Sequence, residues 1–308
     1  MARPFRFGVS VSNAPSATAW REVARKAEDL GFDTFLVSDH LRESLQPMVA
    51  LAAVAEATTT IRLGTFVLNN DFRHPVLLAR EAATLDVLSG GRFELGIGAG
   101  HSGDEYREAG IPFDPAAVRV ARLGEAVWVI KKLWGGEPLE FHGDHYNLAA
   151  HTSHPRPLQP RIPLLIGGNG RSVLRLAARE ADIVGFTGFL PGEDGRAKAF
   201  PNFTVDTFGD RIETVRDAAG SRFDALELNV LVQGVDTANG ATTAEAWAGR
   251  TPLSARQVVE SPFVLFGSVS KLEEKLLAQR ERFGISYITV FEPGMEALAP
   301  LVARLSGR

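Results

Sequence analysis

The chain contains no cysteine, and this absence removes several kinds of chemistry at once. With none among its 308 residues, the protein has no disulfide, iron–sulfur cluster, thiolate zinc site or cysteine nucleophile. The chain also lacks an excess of one charge, since 33 Lys and Arg against 37 Asp and Glu leave a formal net charge of −4. This balance gives no electrostatic reason to expect a nucleic-acid or membrane partner.

Long apolar segments and several common enzyme motifs are also missing. No run approaches the roughly 20 apolar residues of a membrane span, and the first residues, MARPFRFGVSVSN, lack the apolar core of a signal peptide. The sequence has no G-x-S-x-G, P-loop, H-E-x-x-H or kinase signature, so hydrolases and phosphotransferases lack their usual markers. We therefore expect a cytoplasmic protein with a small-molecule substrate.

Residues 61–100 are the most informative segment, because they read in order as strand, loop, helix, turn and strand. The strand IRLGTFVL does not alternate cleanly, which is typical of a strand buried on both faces. Pro75 can open the helix, and Ser89-Gly90-Gly91 can end it. The same rhythm runs through the whole chain, with strand-like segments FRFGVSV, TFLVSDH, IRLGTFVL, FELGIG, PLLIGG, DIVGF, LELNVLVQGV and ISYITVF. Eight strands with interleaved helices predict an α/β fold, a single (β/α)8 barrel domain over residues 1–308.

Two segments break this rhythm and are predicted to be insertions at the carboxyl-terminal face of the barrel. Residues 135–161 are rich in proline and glycine and too long for an ordinary connection. They are predicted to contain a hairpin around Gly143-Asp144. Residues near 188–204 form a second long loop and a candidate mobile lid.

Histidine and aspartate follow the strands whose ends should form the working face. Parallel strands in barrels carry their ligand sites at the strand carboxyl ends. Asp39 and His40 follow the second strand there, and His101 follows the fourth. Histidine titrates near neutral pH and suits proton handling, although His40 can equally cap a helix or bond a carbonyl. Asp39 is expected to hold the His40 ring or to face a cofactor, and His101 is the competing catalytic candidate.

Two glycine-rich loops are candidates for holding a flat or phosphorylated ligand. Residues 98–103 match G-x-G-x-x-G, but Pro112 and Pro115 interrupt the helix and strand that a dinucleotide fold needs. We interpret these glycines as allowing close approach of a flat ligand. Residues 167–172 lie between a strand and a helix, where free N–H groups and Arg171 can bind a phosphate. A plain glycine turn is the alternative.

Histidine and phenylalanine clusters are less specific. No metal site is predicted around His142 and His145, because no thiolate is present and the carriers lie in a predicted loop. Four phenylalanines either line an apolar pocket or pack the long loop against the barrel, and the sequence leaves both open: Phe189, Phe200, Phe203 and Phe208.

Taken together, these blocks resemble the luciferase-like monooxygenase family, in particular its branch that uses the deazaflavin coenzyme F-420. The matching segments cover nearly the whole chain: SDH at 38–40, IRLGTFVL at 61–68, RHPVLLAREAATLDVLSGGRFELGIGAG at 73–100, PRPLQPRIPLLIGGNGRSVLRLAAREAD at 155–182 and SPFVLFGSVSKLEEKLLAQRERFGISYITVFE at 261–292. The resemblance implies an isoalloxazine-type ring across the barrel mouth and a cis peptide near Phe66-Val67. The cofactor-binding residues it implies are Asp39, His40, Phe66, Val67, Asn69, Gly98, Ala99, Gly100, Gly167, Gly168, Asn169, Gly170, Arg171 and Ser172.

The resemblance also carries expectations about reaction, substrate and assembly. Hydride transfer between coenzyme F-420 and a small organic substrate is the first reading, a reduced-FMN-dependent monooxygenase using dioxygen is the second, and non-catalytic flavin binding is the third. Sugar-phosphate dehydrogenases of the branch carry an aromatic residue shortly after SDH, where this chain has 41–44 LRES, and a carboxylate about where His101 stands. These departures argue against a sugar phosphate. A homodimer through helices flanking strands two and three is expected, because PMVALAAVAEAT is apolar over much of its surface.

Overall fold

Eight parallel strands close into a barrel in the computed structural model, which describes residues 3–42, 44–188 and 203–308 and the backbone of 190–191 and 197–199. Each strand pairs with its neighbours in the order β3-β2-β1-β8-β7-β6-β5-β4, and β3 also pairs with β4, which closes the cylinder. The predicted (β/α)8 fold is confirmed. The strands are β1 (Arg6–Ser10), β2 (Thr34–Val37), β3 (Arg62–Thr65), β4 (Phe93–Gly98), β5 (Leu164–Gly167), β6 (Ile183–Thr187), β7 (Glu227–Val232) and β8 (Ile285–Phe291).

A helix follows each strand and packs outside the barrel. Pro75 is the first residue of α3, as predicted, and Gly284 ends α7 in the left-handed conformation at φ 80°. The eight helices are α1 (Ala17–Asp29), α2 (Pro47–Ala57), α3 (Pro75–Leu88), α4 (Ala116–Trp134), α5 (Arg171–Glu180), α6 (Val205–Ala219), α7 (Val269–Phe283) and α8 (Met295–Leu305). Shorter helices lie at Gly103–Glu108, Gly240–Ala248 and Ala255–Glu260, with 3-10 turns at Asn70–Phe72, Gly220–Ala225 and Glu292–Gly294. No helix in the described ranges is long and apolar enough to cross a membrane.

Several short strands lie outside the cylinder. Leu139–His142 pairs antiparallel with Asn147–His151, which confirms the predicted hairpin. The prediction of one continuous strand over LELNVLVQGV is wrong, because β7 ends at Val232. The Gln233 amide donates to the Phe263 carbonyl, and the chain then pairs Gly234–Asp236 with Val264–Phe266. This small sheet and the two helices between its strands were not predicted.

The predicted lid falls largely outside the described residues. Within it, Leu190–Pro191 pairs antiparallel with Ala197–Ala199.

A further short strand, Leu68–Asn69, lies outside the lid and pairs with the end of β4 at the mouth.

Buried charges fill the amino-terminal end of the barrel. The Arg6 guanidinium lies 2.7 Å from Glu227 Oε2 and also bonds Glu94. Its carbon lies 4.5 Å from the centre of the fully buried Tyr287 ring. Because side chains close this end, the carboxyl-terminal end, where the strands open into loops, is the mouth of the barrel.

Candidate active site

Two histidines and one carboxylate meet at the mouth of the barrel. His40 follows β2, and its Nδ1 lies 2.8 Å from Glu105 Oε1 on the short helix Gly103–Glu108. The His101 ring packs against the His40 ring edge to face, with centroids 5.5 Å apart. The two histidines that the sequence offered as competing candidates are therefore direct neighbours.

His101 differs from His40 in its electrostatic surroundings. Loss of water around the ring, followed by the nearby His40, lowers the pKa of His101 below its usual value of 6.5. The side chain nevertheless remains exposed at the mouth. Near neutral pH, His101 is therefore a neutral imidazole that can donate or accept one hydrogen bond.

Glu105 is a site residue that the sequence analysis missed. Its side chain is only 10% exposed, whereas the His40 side chain is 43% exposed. The sequence offers little indication of its role. Glu105 lies four residues after His101 in an acidic segment and does not directly follow a strand, so the strand-end rule did not select it. Only the folded chain shows that this carboxylate points at His40.

Asp39 does not hold His40, and that part of the prediction is wrong. Its carboxylate accepts hydrogen bonds from both terminal nitrogens of the Arg73 guanidinium, and Nη2 lies 3.0 Å from Oδ1. Its Oδ2 also accepts a hydrogen bond from the Asn69 backbone amide at 2.9 Å. A bidentate pair of this kind has strong directional preference. Asp39 therefore fixes the Leu68–Asn69 backbone at the mouth, while the carboxylate that contacts His40 is Glu105.

Val67 forms the floor of the mouth, and glycines on the neighbouring strands make room for it. The Phe66-Val67 peptide bond is cis, as the resemblance implied. A Cβ at Gly98 would lie 2.9 Å from Val67 Cγ2, and one at Gly167 would lie 3.0 Å from Val67 Cγ1. Both distances are shorter than ordinary carbon contacts. The bare backbones of β4 and β5 thus provide the space that the Val67 side chain occupies.

A buried polar network supports the loop after β4. The Tyr106 hydroxyl lies 2.9 Å from both Asn69 Oδ1 and Asp71 Oδ2, and it donates its one proton between them. Burial, followed by the charge of Asp71, raises the pKa of Tyr106. Arg122 Nη1 lies 2.8 Å from Asp71 Oδ2. These side chains hold the loop in place through hydrogen bonds, and their positions in the sequence did not indicate this role.

Residues 98–100 are locked in place by this network. Arg119 Nε donates to the Ala99 carbonyl at 3.1 Å. Gly100 has φ +74°, and a Cβ there would lie 2.1 Å from the Tyr106 hydroxyl. Glycine is therefore required at this position by both backbone conformation and space. The predicted Gly98–Gly100 element lies at the mouth beside the Val67 floor.

The loop between β5 and α5 presents a helix amino terminus without a side-chain cap. Gly170 is the residue before the helix and, having no side chain, offers no cap to the first turn. The Gly168 amide is used, because it donates to the Gly185 carbonyl at 3.1 Å. Asn169 Oδ1 accepts from the Thr187 amide at 3.3 Å and ties the loop to β6. The N–H groups of Arg171 and Ser172 stand at the helix start, the position at which the sequence predicts an anion site.

The Arg171 side chain shares its surroundings with a second arginine and with acids. Arg171 and Arg175 lie one turn apart on α5 and line a groove of about 350 Å³ opposite carboxylates of α6, among them Asp210 and Glu213. Both arginines are exposed. The acids reduce the positive potential in the groove, so the backbone of the loop is better placed than these side chains to attract a phosphate.

Two of the four phenylalanines pack the interior and do not line a pocket. Phe203 and Phe208 are fully buried, and both rings contact Phe263, at centroid distances of 5.9 and 5.6 Å. Phe189 and Phe200 lie outside the described residues. In the histidine cluster, His142 Nδ1 bonds Asn147 Oδ1 at 2.9 Å and Nε2 lies 3.1 Å from Glu140.

Comparisons with known proteins agree with this architecture. A family model described as luciferase-like monooxygenase matches residues 1–284. The chain belongs to this family, as the resemblance predicted.

Among curated relatives, the chain is 35% identical over 235 residues to the F-420-dependent glucose-6-phosphate dehydrogenase of Nakamurella multipartita, covering 73% of this chain and 66% of that protein. The chain thus spans just under two thirds of that relative and about half of others.

Solved structures show the same fold. An F-420-dependent secondary alcohol dehydrogenase in complex with an F-420–acetone adduct superposes with a TM-score of 0.76 at 21% identity, covering 98% of this chain and 99% of the other. The coenzyme F-420-dependent tetrahydromethanopterin reductase of Methanopyrus kandleri superposes with a TM-score of 0.76 at 20% identity, covering 96% and 97%. At these identities the likeness shows the fold alone.

Proposed function

We propose that this protein is a coenzyme F-420-dependent oxidoreductase that transfers a hydride between the deazaflavin and a small organic substrate. The observation that carries the proposal is the His40 imidazole, held by Glu105 beside His101 at the mouth. The branch of the family to which curated relatives belong supports the choice of cofactor.

The residues at the mouth fit a flat ring attached to a phosphate. The small Val67 side chain packs against the bare backbones of Gly98 and Gly167, so no larger side chain at these positions blocks the approach of a planar ring system. The uncapped start of α5 supplies N–H donors and the positive end of a helix dipole for the phosphate. When bound, the deazaflavin supplies or accepts the hydride.

His40 would handle the proton that accompanies the hydride. Its Nδ1 is used by Glu105, and among the described residues its Nε2 has no partner. When the substrate is oxidised, it loses a hydride from carbon and a proton from its heteroatom, and Nε2 takes that proton; in reduction the same atom returns it. His101 would place a neutral hydrogen-bonding group beside this proton, because its lowered pKa favours the uncharged ring.

Cofactor titration tests the proposal directly. Purified protein is titrated with coenzyme F-420 and, in parallel, with FMN, and the quenching of ligand and protein fluorescence is followed. We expect saturable binding of F-420 and turnover with reduced or oxidised F-420 across a panel of alcohols and carbonyl compounds. Tight FMN binding without F-420 binding would support the reduced-FMN monooxygenase instead. Cofactor binding without turnover under any condition would support a non-catalytic family member.

Kinetics of two histidine variants tests the assignment of the proton. We expect His40→Ala to lower turnover by roughly 10²- to 10⁴-fold at saturating cofactor, with little change in cofactor affinity. His101→Ala should retain more activity, because its ring assists the proton and does not carry it. Full activity of the His40 variant would leave that residue a binding group at most, and a larger loss in the His101 variant would reverse the two roles.

A further inference from the structure

We propose that Glu105 is a positioning residue that sets the orientation and tautomer of His40, and that helix Gly103–Glu108 is the rigid carrier of this carboxylate. The proposal rests on the proposed function, since it assigns a role in the same proton transfer. It concerns a residue that neither the sequence motifs nor the strand-end rule singled out.

The carboxylate is held rigidly enough to orient another side chain. Tyr106, the next residue on the helix, is fully buried, and its hydroxyl is fixed between Asn69 and Asp71 at 2.9 Å from each. A side chain locked in this way prevents the short helix from rotating. The adjacent Glu105 side chain, which is 10% exposed, therefore has little freedom to leave His40.

A second ion pair joins the same two segments. Arg42, two residues after His40, donates through Nε to Glu108 Oε2 at 3.0 Å. The loop after β2 and the helix after β4 are thus clasped at two points, His40–Glu105 and Arg42–Glu108. The second pair is exposed at both ends, with side-chain exposures of 59% and 43%. Within the described part of the chain, this pair makes no hydrogen bond to either histidine, so it serves as an internal control.

The geometry decides which nitrogen of His40 faces the mouth. A carboxylate accepts but does not donate, so in the neutral ring the Nδ1 atom beside Glu105 carries the hydrogen. Nε2 is then left with its lone pair as the proton acceptor. His101 packs against the ring edge to face at an interplanar angle of 83°, which opposes rotation of the imidazole about its bond to Cβ. Carboxylate, ring and neighbour together specify one tautomer in one orientation.

The tautomer is measured first, on protein without cofactor. The ¹⁵N chemical shifts of the neutral His40 ring distinguish the two tautomers. We expect the Nδ1–H form in the wild type and a mixed or reversed population in Glu105→Gln, because an amide can either accept from or donate to Nδ1. Glu108→Gln is the matched control on the same helix and should retain the wild-type shifts. An unchanged tautomer in Glu105→Gln would overturn the proposal.

Kinetics then tests the consequence. We expect Glu105→Gln to lower kcat by roughly 10- to 100-fold with little change in KM. Glu105→Asp should recover part of the loss, and Glu108→Gln should be near wild type. Equal losses in the two glutamine variants would show that the helix is merely being loosened, and this would also overturn the proposal. If the protein neither binds F-420 nor turns over, the proposed function fails, but the tautomer measurement still decides the role of Glu105.

Discussion

The glycine-lined floor makes a quantitative prediction for Gly98→Ala. The new Cβ would lie 2.9 Å from Val67 Cγ2 and 3.3 Å from the Gly167 carbonyl oxygen. The first distance is about 0.6 Å shorter than an ordinary carbon contact of about 3.5 Å, and Val67 is a short, stiff side chain that cannot swing away. Overpacking of this kind lowers the free energy of unfolding by about 1–3 kcal/mol. Replacing glycine by alanine also reduces the conformational entropy of the unfolded chain, which raises the free energy of unfolding by about 0.4–1 kcal/mol. The expected net loss of stability is therefore about 0.5–2 kcal/mol.

A second glycine in the same fold provides the matched control. A Cβ at Gly124, inside α4, would meet only Leu176 Cδ1 at 3.6 Å, an ordinary contact. Gly124→Ala should therefore stabilise the protein by about 0.5–1 kcal/mol. Urea unfolding measures both variants.

The same substitution should also affect the cofactor site, because Gly98 and Val67 are both among the residues proposed to face the ring, and relieving the contact must shift one of them. F-420 titration should then show weaker binding in the Gly98 variant alone. The reasoning fails if Gly98→Ala is as stable as wild type with unchanged affinity, or if Gly124→Ala loses equal stability.

Three further outcomes follow from particular contacts. Glu28 accepts from the amides of residues 59–61, and although burial opposes ionisation, these bonds hold its pKa at about 2 against an ordinary 4.5. A carboxylate with a depressed pKa stabilises the fold at pH values above its ordinary pKa, and this stabilisation is lost as pH falls towards 2. Glu28→Gln should therefore lower the free energy of unfolding by about 1–2 kcal/mol at pH 7, after allowing for screening, and by progressively less between pH 4.5 and 2. Urea unfolding across this pH range measures the difference, and an equal loss at every pH would contradict the prediction. Arg171→Ala and Arg175→Ala should both leave F-420 affinity nearly unchanged, because acids of α6 share the groove of these side chains. A loss of about 1.5–3 kcal/mol in titration of the Arg171 variant alone would instead place its guanidinium on the phosphate. Val49 on α2 is 72% exposed and Leu77 on α3 is 56% exposed, so we expect a homodimer that buries this face. Val49→Glu should dissociate the dimer, whereas Leu277→Glu on α7 should not. A monomer mass for the wild type in light scattering at micromolar concentration would refute this expectation.

The barrel itself was predictable because its signals are local. Apolar runs of strand length, a proline at the start of α3 and glycines at helix ends each specify their own segment without reference to distant residues. Two predicted strands are each divided in the structure. IRLGTFVL forms β3 only over Arg62–Thr65, and Leu68–Asn69 pairs separately. The prediction for β7 failed for a non-local reason. The predicted segment LELNVLVQGV continues past Val232. In the structure, however, the Gln233 amide donates to the Phe263 carbonyl, and the following residues pair with Val264–Phe266 in a second sheet.

The positions of the candidate histidines were also predictable, because strand ends define the mouth. His40 and His101 follow β2 and β4, and parallel strands bring their carboxyl ends to one edge. The glycines at 98 and 167 could be assigned to that edge for the same reason. That they leave space for one particular side chain, Val67, could not be read from the pattern.

Which partner each polar side chain takes was decided only by the tertiary structure. Glu105 lies 65 residues from His40 along the chain, and Arg73 lies 34 residues from Asp39. Adjacency in sequence suggested the pair Asp39–His40, but neighbouring residues after a strand point in different directions. A hydrogen bond depends on distances of a few tenths of an ångström and on side-chain rotamers. For His40 these are set by the contacts between the loop after β2 and the helix Gly103–Glu108. The sequence by itself determined the barrel and the edge on which the candidate histidines lie, while the packing of distant segments decided which carboxylate contacts His40.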